Sequence, residues 1–404
     1  MKTPFNIRIT NTRVVLSLLV TLALGIAAYR FLGGLGAATN LNDQFPWGLW
    51  IAFDMLTGVA LAAGGFMVAG AVHIFGLRKF EPFVRPAIAT ALLGYVLAIC
   101  GLLMDLGRPW NIWHPLVMWQ PHSVMFEVAW CVVLYTTVLF LEFLPIVFER
   151  FRMKRALRIV QKLMIVFVIL GIILSTLHQS SLGSLFLMME HRLHALWFTP
   201  MLPVMFLVSA AAVGVAMVIF EAQLSGLIFG HKPSTKLLGD LAKALPPILG
   251  LYLGLKGMDL STRGNFGLLV EGSLESWAFL LEVTLGALVP GTLLLIRKVR
   301  HSRVWLFSCS LLVIVGVVLN RLDVGLLGML RTSPAGYMPT WMELVVSAGI
   351  IAGGLLVLTI MNRQLPIVSE EPHDEALPGA ARTPPTAVVA AARPATSDLR
   401  RCAP

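Results

Sequence analysis

The strongest constraint on this chain is a repeated run of about twenty apolar residues, the length a helix needs to cross a bilayer. We read about ten such runs, at approximately 13–33, 48–76, 86–106, 123–148, 159–180, 197–224, 237–260, 273–297, 303–322 and 341–362. In hydrocarbon every backbone amide must be satisfied within the protein, which leaves helices or a closed barrel. The runs are continuous and show no period-two alternation, so they read as helices. Hydrophobic residues are 57% of the chain and charged residues only 13%. The expected fold class is therefore an all-α integral membrane protein.

The net charge of +10 has a topological origin. Lys and Arg are scattered between the apolar runs instead of gathered on one segment, which speaks against a nucleic-acid partner. With the N-terminus in the cytoplasm, the inner loops carry Arg78, Lys79 and Arg85, then Arg150, Arg152, Lys154, Arg155 and Arg158, then Lys232 and Lys236, then Arg297, Lys298, Arg300 and Arg303. The outer loops carry far fewer, so both termini are expected in the cytoplasm. The first run is long for a signal peptide and reads as an uncleaved anchor. Residues 1–365 then form the polytopic membrane domain. The segment 366–404, which contains SEEPHDEALPGAARTPP, is rich in Pro, Ala and mixed charge and reads as a disordered cytoplasmic tail.

Four cysteines are present, Cys100, Cys131, Cys309 and Cys402. None is spaced as CxxC or CxxCH, so iron–sulfur ligation and covalent haem are not expected. The first three read as small packing residues. Of the histidines only His73 and His178 fall within apolar runs, at opposite ends of the membrane, whereas a b-type haem commonly needs two at one depth. No metal-ligand spacing is apparent. Tryptophans 47, 50, 110, 113, 119, 197 and 341 flank the ends of runs as an interfacial belt would.

Polar groups inside the runs carry the functional signal, because ionisable side chains in hydrocarbon are expensive and usually face a bundle interior or a wet cavity. Asp54, Gly58, Ala62 and Gly65 form one stripe on the second run, which suits close helix packing. Asp105 ends the third run, with Arg108 in reach as a salt-bridge partner and His114 in the loop beyond. Glu127 lies one turn inside the fourth run, and His178 ends the fifth. Four consecutive helices thus bring a titratable group to the outer third, which points to a shared polar pocket. Glu142 lies roughly 22 Å deeper than Glu127, within about 60° of the same face. With Glu221 near the inner end of the sixth run, it could serve a proton path from the cytoplasm; the alternative is that both snorkel at the inner interface. Lys256, Asp259, Glu275, Glu282, Arg321 and Asp323 repeat the theme more weakly in the second half. Runs two to five and six to nine share their directions, which suggests two parallel four-helix bundles, 48–180 and 197–322, with the first and last helices peripheral.

The segments PWGLWIAFDMLTGVALAAGGF, DLGRPW, FEVAWCVVLY, STLHQSSLGSL and HRLHALWFTP, in this order, resemble the NrfD/PsrC-like family of polysulfide reductase membrane subunits. Within it the likeness is greatest to the HybB-type membrane subunit of uptake nickel–iron hydrogenases. The resemblance covers nearly all of residues 10–362. It implies a quinone-binding subunit of an inner-membrane respiratory complex, with menaquinone the expected substrate and no redox cofactor of its own. It implies electrons from a periplasmic ferredoxin-like iron–sulfur subunit, with the hydrogenase large and small subunits behind it. By matching position Glu127 would be the acid beside the quinone, expected to be buried. Glu142 and Glu221 would pass protons, and Asp54 and His178 would line the pocket, with Asp105, Arg108 and His114 around it. A molybdenum enzyme or multihaem cytochrome as donor, a secondary transporter or channel, and a passive anchor are the competing readings.

Overall fold

The computed structural model describes residues 11–45, 47–229, 233–333 and 336–367. The expected tail beyond residue 367 lies outside them. Among the described residues the regular structure is helical, apart from one isolated bridge between Asn42 and Phe45. Ten helices are long and apolar enough to span a bilayer. They are α1 (Asn11–Gly33), α2 (Trp50–His73), α3 (Arg78–Asp105), α4 (Val124–Arg150), α5 (Lys154–Met189), α6 (Leu202–Ile228), α7 (Thr235–Arg263), α8 (Leu274–Leu293), α9 (Arg303–Leu330) and α10 (Trp341–Gln364).

Packing follows chain order. Helix α2 lies against α3, α3 against α4, α4 against α5, and α5 returns to α2, which closes one ring of four. Helices α6, α7, α8 and α9 close a second ring in the same way. Helix α6 joins the rings through α2 and α5, and α9 meets α2. Helices α1 and α10 pair with each other and lean on α3 and the start of α2.

The sequence explains where the helices come closest. Lipid tails are as apolar as leucine, so association inside a membrane relies on tight packing at small residues. Gly58, Ala62 and Gly65 bring α2 against Ala98, Gly94 and Ala91 of α3. At the joint between the rings, a methyl group on Gly214 of α6 would lie 2.8 Å from the backbone of Ala63. Gly286 of α8 and Gly316 of α9 touch backbone to backbone, which no larger residue permits. At the start of α3 Arg85 grips Glu149 with two hydrogen bonds of 2.8 Å, tying α3 to the end of α4.

Three spans contain a wider π-turn: Trp50–Met55 in α2, Thr284–Leu288 in α8 and Asp323–Leu327 in α9. Such turns re-aim side chains and recur at functional sites. The one in α9 carries the helix past Arg321 and Asp323, where hydropathy alone ends the run at 322. Both side chains are buried, Arg321 against Ser209, Asn320 and the Phe206 carbonyl, and Asp323 with its Oδ2 unpartnered.

Candidate functional site

Within the α2–α5 ring, polar side chains form a row from the C-terminal half of α4 toward its N-terminal end. Glu142 of α4 is 4% exposed and opposes Gly171 of α5. Tyr135, two turns along α4, is fully buried, with Ser175 of α5 beside it. Tyr95 of α3 meets the Tyr135 ring edge-on, with centroids 4.7 Å apart. Its hydroxyl is 2.8 Å from Nδ1 of His178 on α5. Gln179 follows, its amide donating to the Val59 carbonyl of α2 at 2.9 Å. The Tyr135 hydroxyl, Ser175 Oγ, Thr136 Oγ1, His178 Nε2 and Gln179 Oε1 are all buried without a hydrogen-bond partner. Buried polar atoms are normally paired, and a cluster of exceptions marks a place for water or a ligand.

The expected site residues do not converge on one point. His178 and Glu142 belong to the row just described. Glu127 is exposed at the outer end of α4, not buried, and accepts a hydrogen bond from Ser181 of α5. It begins its helix, where the chain has just left the outer loop, so burial does not reach it. Glu221 of α6 is half-buried and accepts a hydrogen bond from Thr90 of α3, which links the two rings near their inner ends.

Asp54 lies elsewhere. Its stripe faces α3, with Gly101 against its Cβ, and Ser347 of α10 donates to it at 2.5 Å. The carboxylate therefore sits at the junction of α2, α3 and the peripheral α10. Asp105 is close by, near the Gly48 backbone, Glu343 and Arg30, with its Oδ1 buried and without a hydrogen-bond partner. Arg108 is exposed and makes no ion pair with Asp105 among the described residues. The fully buried Arg30 of α1 is the cation beside Asp105 instead, donating to the Met104 and Leu106 carbonyls at the end of α3. Arg30 ends an apolar run assigned to the periphery, and nothing in its spacing announces the contact. His114 is half-buried at the start of a short helix, edge-on to Trp113.

Sequence reasoning missed Tyr95 and Tyr135. A signal was present: the chain has only five tyrosines, and these two stand mid-run, where a hydroxyl requires a partner. It also placed Trp50 and Trp197 in the belt, yet both are buried, donating to the Glu343 carbonyl and to Glu282. Trp110, Trp113, Trp119 and Trp341 are exposed as an interfacial belt requires. Cys131 and Cys309 are buried, whereas Cys100 is exposed. No group of His, Cys, Asp and Glu among the described residues is placed to hold a metal ion.

The second ring holds a different arrangement. Glu282 of α8 accepts from Lys256 at 2.6 Å, Tyr252 at 2.9 Å, Asn320 at 3.1 Å and Trp197 at 3.2 Å. Asp259 holds Thr199 and Arg263. Arg321 donates to Ser209, Asn320 and the Phe206 carbonyl and lies over the Phe206 ring.

Two tightly packed helical rings with polar interiors define a multi-span membrane protein built for more than anchorage. A family model described as "Polysulphide reductase, NrfD" matches residues 37–330. The chain belongs to this family. It is 36% identical to a protein of Nitratidesulfovibrio vulgaris, over 90% of this chain and 96% of the relative. It is 35% identical to the probable Ni/Fe-hydrogenase 2 b-type cytochrome subunit of Escherichia coli, over 87% of this chain and 90% of the relative. It is also 28% identical to the menaquinone reductase integral membrane subunit of Nitratidesulfovibrio vulgaris, over 85% and 88% respectively.

Proposed function

We propose that this chain is the quinone-reactive membrane subunit of a respiratory oxidoreductase complex, with menaquinone as substrate. The observation that carries the reading is the row Glu142–Tyr135–Tyr95–His178, with its unpartnered polar atoms, inside one ring of helices. Reducing a quinone takes two electrons and two protons, and protons need titratable groups within hydrogen-bond reach. The space beside Tyr95, lined by Met55, Val59, Ala98 and Val132, has a volume of about 10 Å³. That is room for about one water. The row thus suits protons, and the quinone head is assigned to the outer end, where Glu127 is accessible and Ser181 orients it. Glu142 takes protons from the cytoplasmic side. Glu221, bonded to Thr90, is a second entry on the same side. Asp54, Asp105, Arg108 and His114 are assigned to support the outer end, not to touch the substrate.

Electrons come from a partner. One relative's name supports a nickel–iron hydrogenase, and we assign the link to it to a periplasmic iron–sulfur subunit. The excess of Lys and Arg in alternate loops supports a bacterial inner-membrane location with both termini in the cytoplasm. One relative's name includes a b-type cytochrome. Among the described residues His178 is the one histidine buried in a span. A b-haem held by two histidines at one depth has no second ligand here, so we assign this chain no haem, and without a CxxC pair no iron–sulfur cluster.

The test uses the intact complex. Hydrogen-driven reduction of a menaquinone analogue is compared with reduction of an artificial dye, for wild type, Glu127→Gln and His178→Ala. The reading expects dye reduction to persist while quinone reduction falls by about 10²-fold. If both variants assemble and keep full quinone turnover, the assignment is wrong. If wild type reduces neither acceptor with hydrogen, the donor is wrong.

A further inference from the structure

A cavity near the row opens sideways, between α3 and α4. It has a volume of about 540 Å³, within the roughly 300–1,000 Å³ typical of ligand pockets. Its walls are apolar: Val96, Ile99 and Leu102 from α3, and Ala129, Val133 and Phe140 from α4. Ile112 and Leu116 of the outer loop close it from above. That roof is fastened, because Trp130 of α4 donates to the Pro115 carbonyl at 2.9 Å.

Two facts identify the occupant. First, Val96, Val133 and Phe140 are 44%, 41% and 52% exposed and lie well inside their spans. The mouth therefore faces hydrocarbon, and a hydrocarbon chain fills it at no desolvation cost. Second, Ile99, Leu102 and Val132 line both this cavity and the small space beside Tyr95. One layer of side chains separates the cavity from the proton row. Thr136 Oγ1, buried and without a partner, is on the same wall. A seat for an ordinary acyl chain needs no nearness to the polar end of the ring, whereas a tail whose head lies at Glu127 does, and Ala129 and Trp130 of the cavity wall stand within one turn of Glu127 on α4.

We propose that this α3–α4 cavity is the lateral port of the quinone and holds its polyisoprenoid tail. The proposal rests on the quinone reading above. It makes Val133 and Ala129 determinants of tail recognition, while Tyr95 and His178 stay with the proton row.

The experiment has two arms, both on the intact complex. In the first, Val133→Trp and Ala129→Trp fill the cavity, and KM is measured for a multi-isoprenoid menaquinone and for a tail-less naphthoquinone. The ratio of the two KM values is expected to rise at least about tenfold, as loss of a fitted apolar pocket does. An unchanged ratio overturns the port. In the second arm, which needs no substitution, a menaquinone with a photoreactive group on its tail is irradiated in the wild-type complex. Cross-links are expected in 92–102 and 129–140. A photoreactive phospholipid labels the same segments only until excess menaquinone displaces it. Lipid labelling that menaquinone does not displace, or tail cross-links elsewhere, overturns the proposal. Failure of wild type to reduce either quinone would strike the functional reading; reduction of both with no effect of the cavity would strike the port alone.

Discussion

The two four-helix rings both bury polar groups and treat them differently. In the α6–α9 ring most of the charges are matched: Lys256 with Glu282 and Arg263 with Asp259, while Arg321 is held by Asn320, Ser209 and a backbone carbonyl, and Arg321 Nε and Asp323 Oδ2 are left without a partner. In the α2–α5 ring Glu142 has no ion pair among the described residues, and His178, Gln179, Tyr135 and Ser175 each keep an unused polar atom. A fully satisfied buried network fixes a structure. A partly satisfied one leaves positions for water, protons or substrate. On the proposed reading, the more fully paired ring serves stability and the less paired one serves turnover.

The largest expected effect breaks the matched ring. Lys256 is 8% and Glu282 2% exposed, so Lys256→Met strands a buried carboxylate and costs about 3–5 kcal/mol. Thermal unfolding of the purified complex reads this as a large drop in Tm. Adding Glu282→Gln to Lys256→Met should recover much of it. A null effect of Lys256→Met would show that the pair is solvated and that the rings do not differ as described.

Next comes overpacking at the glycine contact. Gly316→Val forces α8 and α9 apart at Gly286 and is expected to cost about 1–3 kcal/mol in the same assay. Smaller again is Tyr95→Phe. It removes the hydroxyl bonded to His178 and should cost only about 1 kcal/mol of stability, while slowing quinone turnover about tenfold. Unfolding and steady-state rates on one preparation separate the two. The smallest effect is expected at the surface, where Asp240 pairs with Lys79 and Lys243, which are 50% and 59% exposed. Asp240→Asn should change stability by less than about 1 kcal/mol and leave turnover as it is.

How much of this was legible in the sequence depends on the range of the interaction. Helix number followed from hydropathy, because backbone satisfaction in a bilayer acts locally. The stripe of Gly58, Ala62 and Gly65 foretold close packing of α2, since spacing along a helix fixes a face. What spacing could not give is the neighbour across that face. Asp54 was read toward the pocket, yet its stripe meets α3, and its partner Ser347 is 293 residues away in the chain. Asp105 had an obvious partner in Arg108 by proximity in sequence. Arg30, two helices away in the chain, is the cation beside it instead, bonded to the Met104 and Leu106 carbonyls, because α1 packs on α10 and brings its end beside α3. The proton row was half visible: carboxylates and His178 announce themselves, whereas Tyr95 and Tyr135 look like ordinary aromatic filling until the fold places them between Glu142 and His178.

The most direct test of the comparison sets two carboxylates against each other. Glu142→Gln and Glu282→Gln are each introduced into the intact complex, and menaquinone-analogue turnover is measured per assembled complex, alongside Tm. The account predicts that Glu142→Gln keeps its Tm and loses about 10²-fold in turnover, while Glu282→Gln loses Tm and keeps turnover in the fraction that assembles. Full turnover in Glu142→Gln, or a turnover loss in Glu282→Gln at unchanged Tm, would contradict it.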